Sequence, residues 1–504
     1  MKFSTCSEVK AAEEALFSQG VSAEELMEDA GRQIAATIIR RCSKPGQAIA
    51  FIGKGNNGGD ALVVLRHLRE AGWRIGLELS HLKNELSELS AKNLKRLGPV
   101  DSSADLLTLS TFQSPLVLID GLLGIGTKGE LREPLAALAR KMKSLQDSGA
   151  AEIVSIDVPS GLNVDMGTAR GNSVRADLTC VIGIPKRGLV KDSATHFVGS
   201  LSFIPLRGLS CEAEGDRLIT PSSLPVAKLQ RSFDFHKGEA GRIGIVAGGR
   251  GTFGAALLSS LGALHGGGGL ITLYALPHCF QMLAAKAPAE VMVKKVSSYL
   301  DVLKDRLDAL VIGPGLKTKK EGEIVELIER SDLPAVIDAE ALNSISRFER
   351  KDVLTSRHLI TPHPGEMSRL FPEVEGDRAT IARQVTGEVP CAILFKGART
   401  IVAQRGHSLA YNTTGTPGMA IGGSGDLLSG LCAAFLALDI SPYDAACSGA
   451  WLAGRAAELA MSHGGESVES VTPSRSAAFL GLAFRELRTT LASDLLRLDP
   501  LLST

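Results

Sequence analysis

Short apolar runs, most of them ending in a turn rich in glycine, proline or polar side chains, recur along this chain. Gln47–Ile52, Leu116–Ile119 and Ala151–Ile156 are such runs in the first half. Arg242–Ala247, Leu270–Ala275, Ala309–Ile312, Ala335–Ile337, Leu359–Ile360 and Cys391–Phe395 follow in the second. Runs this short and this uniformly apolar read as strands buried on both faces, with helical periodicity between them. Such alternation predicts α/β layers around parallel sheets. Phe203–Pro205 closes the first series, and Leu206–Ser232 is irregular, with Pro221 and Pro225. The expectation is two three-layer αβα domains, residues 1–214 and 215–504. In open sheets of this kind ligands bind beyond the carboxyl ends of the strands, so those turns are where chemistry is sought.

Gln47–Ile52 leads into GKGNNGGD, Gly53 to Asp60, and then a helix expected over Ala61–Glu70. Strand, glycine-rich turn and helix form a phosphate-cradling arrangement, although this is neither GxGxxG nor a P-loop. The plainer alternative is an Asx-rich turn capping a helix. Leu116–Ile119 ends in Asp120 and a glycine-rich loop, and Ala151–Ile156 ends in Asp157-Val158-Pro159-Ser160-Gly161. A lone Asp at a strand end is usually a cap; three such ends together favour a site.

The most glycine-rich stretch is TGTPGMAIGGSGDLLSG, Thr414 to Gly430. Five glycines precede one carboxylate, Asp426, and an apolar run of helical spacing follows at once. Free amides of glycine-rich backbone and of a helix start make an anion site. A carboxylate beside it suits phosphoryl transfer to a hydroxyl: the carboxylate takes the proton, the amides hold developing charge. The helix start is expected to favour the Asp426 anion and so to make it a weak base. The alternative is a turn capped by an Asp.

Net charge is zero, with 55 basic and 55 acidic residues and no charged block, which argues against a nucleic-acid or membrane-surface partner. No run approaches the ~20 apolar residues of a membrane span. The eight cysteines include no CxxC pair, and the N-terminus reads as an amphipathic helix without a signal-peptide core. A cytoplasmic protein with reduced thiols is expected.

GKGNNGGDA, IDGLLGIGTKGE, SIDVPSGLNVDMG and SAEELMEDAGRQIAATI resemble the Rossmann-like epimerase domain of the NAD(P)H-hydrate repair enzymes, over about residues 1–210. The resemblance implies interconversion of the R and S hydrates of NADH and NADPH (NADHX and NADPHX). It implies a hydrate site lined by Asn56, Asn57, Gly58, Gly59 and Asp60 and by Gly124, Ile125, Gly126, Thr127, Lys128, Gly129 and Glu130. Asp157 is implied as the acid/base group, and Asn57, Asp120 and Ser160 as ligands of a K⁺ ion. An Asp titrates ordinarily near ~3.9, low for a general acid, so burial would have to raise Asp157. Ala61 stands where a glycine is usual.

HKG, GPG, TPHPGE, KGART and TGTPGMAIGGSGD, over about residues 222–490, resemble the ribokinase-like dehydratase domain of the same family. The resemblance implies conversion of the S hydrate to NAD(P)H with ADP or ATP and Mg²⁺. Asp426 would be the base; Ala255, Gly315, His363 and Asp426 would contact the hydrate. Lys396, Gly397, Ala398, Arg399, Thr400 and Gly425 would bind the adenine nucleotide. Ser424, Glu340 and Phe253 replace the commoner Thr, Asp and Tyr. A homo-oligomer, a tetramer, is expected from the family. The alternative function is a ribokinase-like kinase of small molecules with an N-terminal dinucleotide-binding module.

Overall fold

The computed structural model describes residues 1–42, 44–102, 114–126, 129–209 and 215–491. Its backbone divides into two compact units, Lys2–Gly215 and a second that begins at Asp216.

Seven parallel strands make the sheet of the first unit: β1 (Gln47–Ile52), β2 (Arg74–Leu79), β3 (Asp101–Ser102), β4 (Leu116–Gly121), β5 (Glu152–Ile156), β6 (Leu178–Ile182) and β7 (Ser200–Ile204). They lie in the order β3-β2-β1-β4-β5-β6-β7, so the direction of winding reverses between β1 and β4. That reversal opens the crevice in which doubly wound sheets bind ligands. Five helices of the unit are α1 (Cys6–Ser18), α2 (Ala23–Arg41), α3 (Asn56–Glu70), α4 (Glu88–Leu97) and α5 (Leu135–Asp147). Strand side chains alternate in direction. Ala48, Ala50 and Ile52 of β1 pack with Ile34 and Ile38 of α2 and Leu62 and Leu65 of α3. Ile49 and Phe51 pack on the other face with Ala136, Ala139 and Met142 of α5. The three layers follow from that alternation.

The second unit has ten strands: β8 (Arg217–Leu218), β9 (Arg242–Val246), β10 (Leu270–Ala275), β11 (Val291–Lys295), β12 (Ala309–Ile312), β13 (Ala335–Ile337), β14 (His358–Ile360), β15 (Ala392–Phe395), β16 (Ile401–Ala403) and β17 (Ala410–Tyr411). Their order is β8-β17-β16-β15-β14-β13-β12-β9-β10-β11. All pairings are parallel except those of β16 with β15 and β17. The helices that concern the site are α6 (Phe253–His265), α7 (Glu340–Arg347), α8 (Pro364–Leu370), α9 (Ser424–Leu436), α10 (Pro442–Ser462) and α11 (Pro473–Leu491). Val311, Val336, Leu359 and Leu394 face a core shared with α9 and α10. Ile312, Ile337, Ile360 and Ile393, the alternate positions, are buried on the opposite face. Helices α6 and α9 cross almost backbone to backbone. A Cβ on Gly262 would lie 2.0 Å from the Leu427 carbonyl oxygen, and one on Gly430 1.9 Å from that of Ser259. This crossing sets the depth at which Asp426 enters the site.

Among the described residues no helix is long and apolar enough to cross a membrane. The α/β class is as the sequence indicates. Helix α3 starts at Asn56 rather than Ala61, and α1 and α2 each start three residues before the expected Val9 and Leu26. Capping boxes from Thr5 to Glu8 and from Ser22 to Glu25 fix the latter two starts.

Candidate active sites

In the first unit the chain leaves β1 through a turn with no spare room. A Cβ on Gly53 would lie 1.7 Å from the Leu122 carbonyl oxygen, and one on Gly58 2.2 Å from that of Gly53. Glycines at both places let α3 begin directly above the strand end. Gly55 is its N-cap and offers no side chain, so the first amides of the helix stay open to an anion.

Strand β4 carries Asp120, wholly buried. Its Oδ1 accepts from Ser160 Oγ (2.6 Å) and the Leu122 amide (3.3 Å). Its Oδ2 accepts from Ser155 Oγ (2.8 Å) and the Ser160 amide (2.8 Å). Burial pushes this carboxyl up against the pull of those donors. Asn57 Nδ2 donates to the Leu123 carbonyl at 3.2 Å, and Ser160 Oγ accepts from the Leu123 amide at 2.9 Å. Asn57, Asp120 and Ser160 are thereby gathered around the Leu122–Leu123 backbone.

Asp157 follows β5 at φ 63, a left-handed conformation that costs a non-glycine residue about 1–3 kcal/mol. Its Oδ1 accepts from the Ile182 amide at 3.0 Å and from the ammonium of Lys186, itself 1% exposed. Lys186 also donates to the Ile182 carbonyl at 3.0 Å. A cavity of about 330 Å³ opens here, lined by Glu13, Leu26, Asn56, Asn57, Asp60, Gly124, Ile125, Gly126, Asp157 and Lys186 among others. Burial, then the charges of Asp157 and Glu13, push the Asp60 carboxyl well above the usual range. Burial and Asp157 also raise Glu13, against Lys186 and Lys10.

The second site assembles at the carboxyl ends of β9, β12, β13, β14 and β15. Lys396, just past β15, lies 2.9 Å from Asp338 Oδ1 and 3.8 Å from Glu366 Oε2. Asp338 Oδ2 also accepts from Ser429 Oγ at 2.8 Å. Gly425 is packed against this group: a Cβ there would stand 3.3 Å from Lys396 Nζ. Asp426 enters from the first turn of α9, after Gly423 at φ 98. Burial, then Asp338, push its carboxyl up to about 6, with Lys396 pulling down and Glu366 adding to the rise. The helix start was expected to depress it; desolvation and a second carboxylate outweigh that effect. Lys396, buried among these carboxylates, is raised: burial alone would lower it, and Asp338 and Glu366 more than compensate.

Gly315, at φ 62, packs so closely on Ala255 that a Cβ would lie 2.6 Å from the alanine's. Thr252 Oγ1 donates to the Gly315 carbonyl at 2.6 Å and ties the two loops. His363 caps α8: its Nδ1 accepts from the amides of Gly365 (3.0 Å) and Glu366 (3.3 Å). The glycine-rich loop is fastened from behind by α10. Gly415 donates to Glu458 Oε1 at 2.5 Å, and Thr414 Oγ1 to the Trp451 carbonyl at 2.9 Å. Arg455, buried with Glu458, donates to Glu458 at 3.0 Å and to the half-buried Glu486 at 2.6 Å.

A model for NAD(P)H-hydrate dehydratase matches residues 243–475, and one for the YjeF-related protein N-terminus matches residues 23–188. The bifunctional NAD(P)H-hydrate repair enzyme Nnr of Moorella thermoacetica is 33% identical over 482 residues, 88% of this chain and 89% of its own. That of Coxiella burnetii is 32% identical, covering 91% and 95%, and that of Escherichia coli 33%, covering 87% and 86%. The chain belongs to the bifunctional NAD(P)H-hydrate repair enzyme family. Among solved structures, an ADP/ATP-dependent NAD(P)H-hydrate dehydratase from Bacillus subtilis, co-crystallised with ATP and Mg²⁺, is 26% identical, with a TM-score of 0.47 over 55% of this chain and all of that one.

The family motifs distribute unevenly around the geometry. Asn56, Asn57, Asp60, Gly124, Ile125, Gly126 and Asp157 line the first cavity; Gly58 and Gly59 are buried beneath it. Gly129 and Glu130 are exposed and outside the lining, and the Glu130 carboxylate lies over Gly171. Thr127 and Lys128 lie outside the described residues. Gly397 and Ala398 are exposed, whereas Arg399 is buried; its Nη1 donates to the Thr413 carbonyl at 3.4 Å. Thr400 Oγ1 donates to the Gly397 carbonyl at 3.2 Å and closes the turn. Glu340 turns onto α7, accepting from Asn343 at 3.2 Å, and does not join the Lys396 cluster. Sequence reasoning missed Lys186, Glu13, Ser429 and Glu458. Lys186 and Arg187 follow an apolar run in VIGIPKRG, and nothing in that stretch marks the lysine out.

Proposed function

We propose that the first unit interconverts the R and S hydrates of NADH and NADPH. The second then dehydrates the S form with ADP or ATP, giving AMP or ADP, phosphate and the restored reduced dinucleotide. The observation that carries the second half is Asp426: a carboxylate raised to about 6, at an uncapped helix start, among the strand-end loops. A base near 6 accepts a hydroxyl proton far better than an ordinary Asp and is still ionised at neutral pH. The S-hydrate hydroxyl would give its proton to Asp426 and attack the terminal phosphorus. The ester so formed carries phosphate, a much better leaving group than hydroxide; the carbon–oxygen bond breaks, the neighbouring ring carbon gives up a proton to water, and that carbon–hydrogen pair forms the ring double bond. Amides of Gly422, Gly423 and Gly425 and the Lys396 ammonium are the donors for the developing phosphoryl charge.

Among the described residues no cluster of three or more His, Cys, Asp or Glu is spaced for a metal. Asp338, which faces Lys396 and Ser429 at the strand ends, would be the protein side of a Mg²⁺ site completed by the nucleotide phosphates. When bound it would neutralise phosphate charge beside three carboxylates. In the first unit Asp120 is a buried carboxylate with only neutral donors, gathered with the oxygens of Asn57, Ser160 and Leu123. That hard-oxygen set fits K⁺, which would supply the missing counter-charge. The seven described cysteines are all free thiols, which supports a cytoplasmic setting.

Single substitutions test the two halves separately. Asp426→Ala should slow S-hydrate dehydration by about 10²–10⁴ and leave epimerisation intact. Asp157→Ala should leave S-hydrate repair intact and strand the R form. Full dehydratase activity in Asp426→Ala would refute the assignment. Family membership across both units favours this reading over a small-molecule kinase, which would instead accumulate a stable phosphorylated product.

A further inference from the structure

Two carboxyls of the first cavity have opposite surroundings. Asp157 is engaged through one oxygen: its Oδ1 accepts from the Ile182 amide at 3.0 Å and from the buried Lys186 ammonium. That ion pair and the amide hold the carboxylate in one orientation. Asp60 is one turn into α3, immediately after the open helix start, and lines the same cavity. Among the described residues its carboxyl has no hydrogen-bond or ion-pair partner, so both oxygens are available to a ligand.

Charged groups reach this part of the cavity from three elements: Lys10 and Glu13 from α1, Asp157 from the turn after β5, and Lys186 from the turn after β6. Helix α2 contributes only apolar side chains, Leu26 and Met27 among them. The two groups that act on Asp60 are both acidic, Asp157 and Glu13, and with burial they favour its neutral form. Glu13 is less suited to the same role, because Lys186 and Lys10 pull it back towards the anion.

Resting on the epimerase reading of this cavity, we propose that Asp60 is the catalytic acid, giving its proton to the departing hydroxyl of the hydrate, while the Asp157 carboxylate, held in place by Lys186, faces the cation formed on the ring. The Asp60 O–H bond breaks and the proton goes to the hydroxyl oxygen. The carbon–oxygen bond breaks, water leaves, and the ring-nitrogen lone pair forms a carbon–nitrogen double bond. Water then adds to the opposite face, the double-bond pair returns to nitrogen, and the added water loses its proton to the Asp60 carboxylate. Nothing is oxidised or reduced and no co-reactant is consumed. Two carboxyls of one cavity in unlike surroundings are a recurrent arrangement for acid catalysis through a cationic intermediate.

The test uses the full-length protein without nucleotide, so that the dehydratase site is idle. R-NADPHX is supplied, and the two epimers are separated over time against the spontaneous rate. Asp60→Asn should slow equilibration by about 10²–10⁴. It should bind NADPH, the probe of site integrity, within a few-fold of wild type. Asp60→Glu should recover part of the lost rate. An Asp60→Asn variant at the wild-type rate would overturn the proposal. So would loss of NADPH binding in step with rate, which would make Asp60 a binding group, or a rate lost only in Glu13→Gln. A wild-type protein that does not equilibrate the epimers would refute the epimerase reading itself, and the proposal with it.

Discussion

Asp338→Asn changes the second site in a way that can be worked through. Asp426 stands at about 6 rather than 3.8 because of burial first and the Asp338 charge second, with Lys396 opposing. An Asn removes that second cause. It also releases Lys396, whose Nζ is held 2.9 Å from Asp338 Oδ1, to act on Asp426. Both effects favour the Asp426 anion, while burial remains, so a fall of about one pKa unit is expected, equivalent to 1.36 kcal/mol. A base must be ionised to accept a proton, so activity rises with pH through this titration. With a pKa near 6 only about a tenth of the base is ionised at pH 5; at a pKa near 5 about half is. The ratio of kcat/KM at pH 5 to that at pH 8 should therefore rise about five-fold, while the plateau falls because the base is weaker and the Mg²⁺ site loses its carboxylate. The assay is regeneration of NADPH absorbance from the S hydrate with ADP and Mg²⁺ across that range. An acid limb that stays where it is, or moves to higher pH, would refute the account of why Asp426 is a useful base.

Three further outcomes follow from packing and charge. Gly430→Ala should cost about 1–3 kcal/mol and lower kcat, because its Cβ would lie 1.9 Å from the Ser259 carbonyl and push α9 off α6; an unchanged melting temperature would contradict this. Glu458→Gln should destabilise the fold by up to the ~3–5 kcal/mol of a broken buried pair and raise KM for ADP, since Glu458 holds both Arg455 and the Gly415 amide; equal stability and KM would show the loop needs no such anchor. His358 is buried and held down to about 4, whereas the unfolded chain protonates near 6.5. The unfolded state therefore binds more protons between those values, and stability should fall as pH drops from 6.5 towards 4. His358→Asn, which keeps an acceptor for the Thr355 amide, should lose part of that sensitivity in urea titrations at pH 7 and pH 5; an unaltered difference would exclude His358 as its source.

Much of the sheet framework was legible because parallel strands buried on both faces have to be apolar. Gln47–Ile52, Leu270–Ala275, Ala309–Ile312 and Ala335–Ile337 stand as read. Strands β2, β6 and β11 were passed over. RIGLEL and VMVKK mix charge into edge or half-exposed positions, and LTCVI follows a polar loop without a clear start. The start of α3 was misjudged because two consecutive glycines look like loop; here they let the helix sit on Gly53 and Met27. Asp426 was legible from its glycines, but not its raised pKa, since Asp338 lies 88 residues earlier and meets it only across the strand ends. Lys186 and Glu458 were hidden for the same reason. Each acts on a partner distant in sequence, and neither carries a local motif.

The most direct measurement supplies wild-type protein with R-NADPHX alone, ADP and Mg²⁺, and follows NADPH absorbance. The account predicts full recovery of NADPH with stoichiometric AMP and phosphate, at a rate well above spontaneous epimerisation. Recovery limited to the spontaneous rate, or a stable phosphorylated product in place of NADPH, would contradict it.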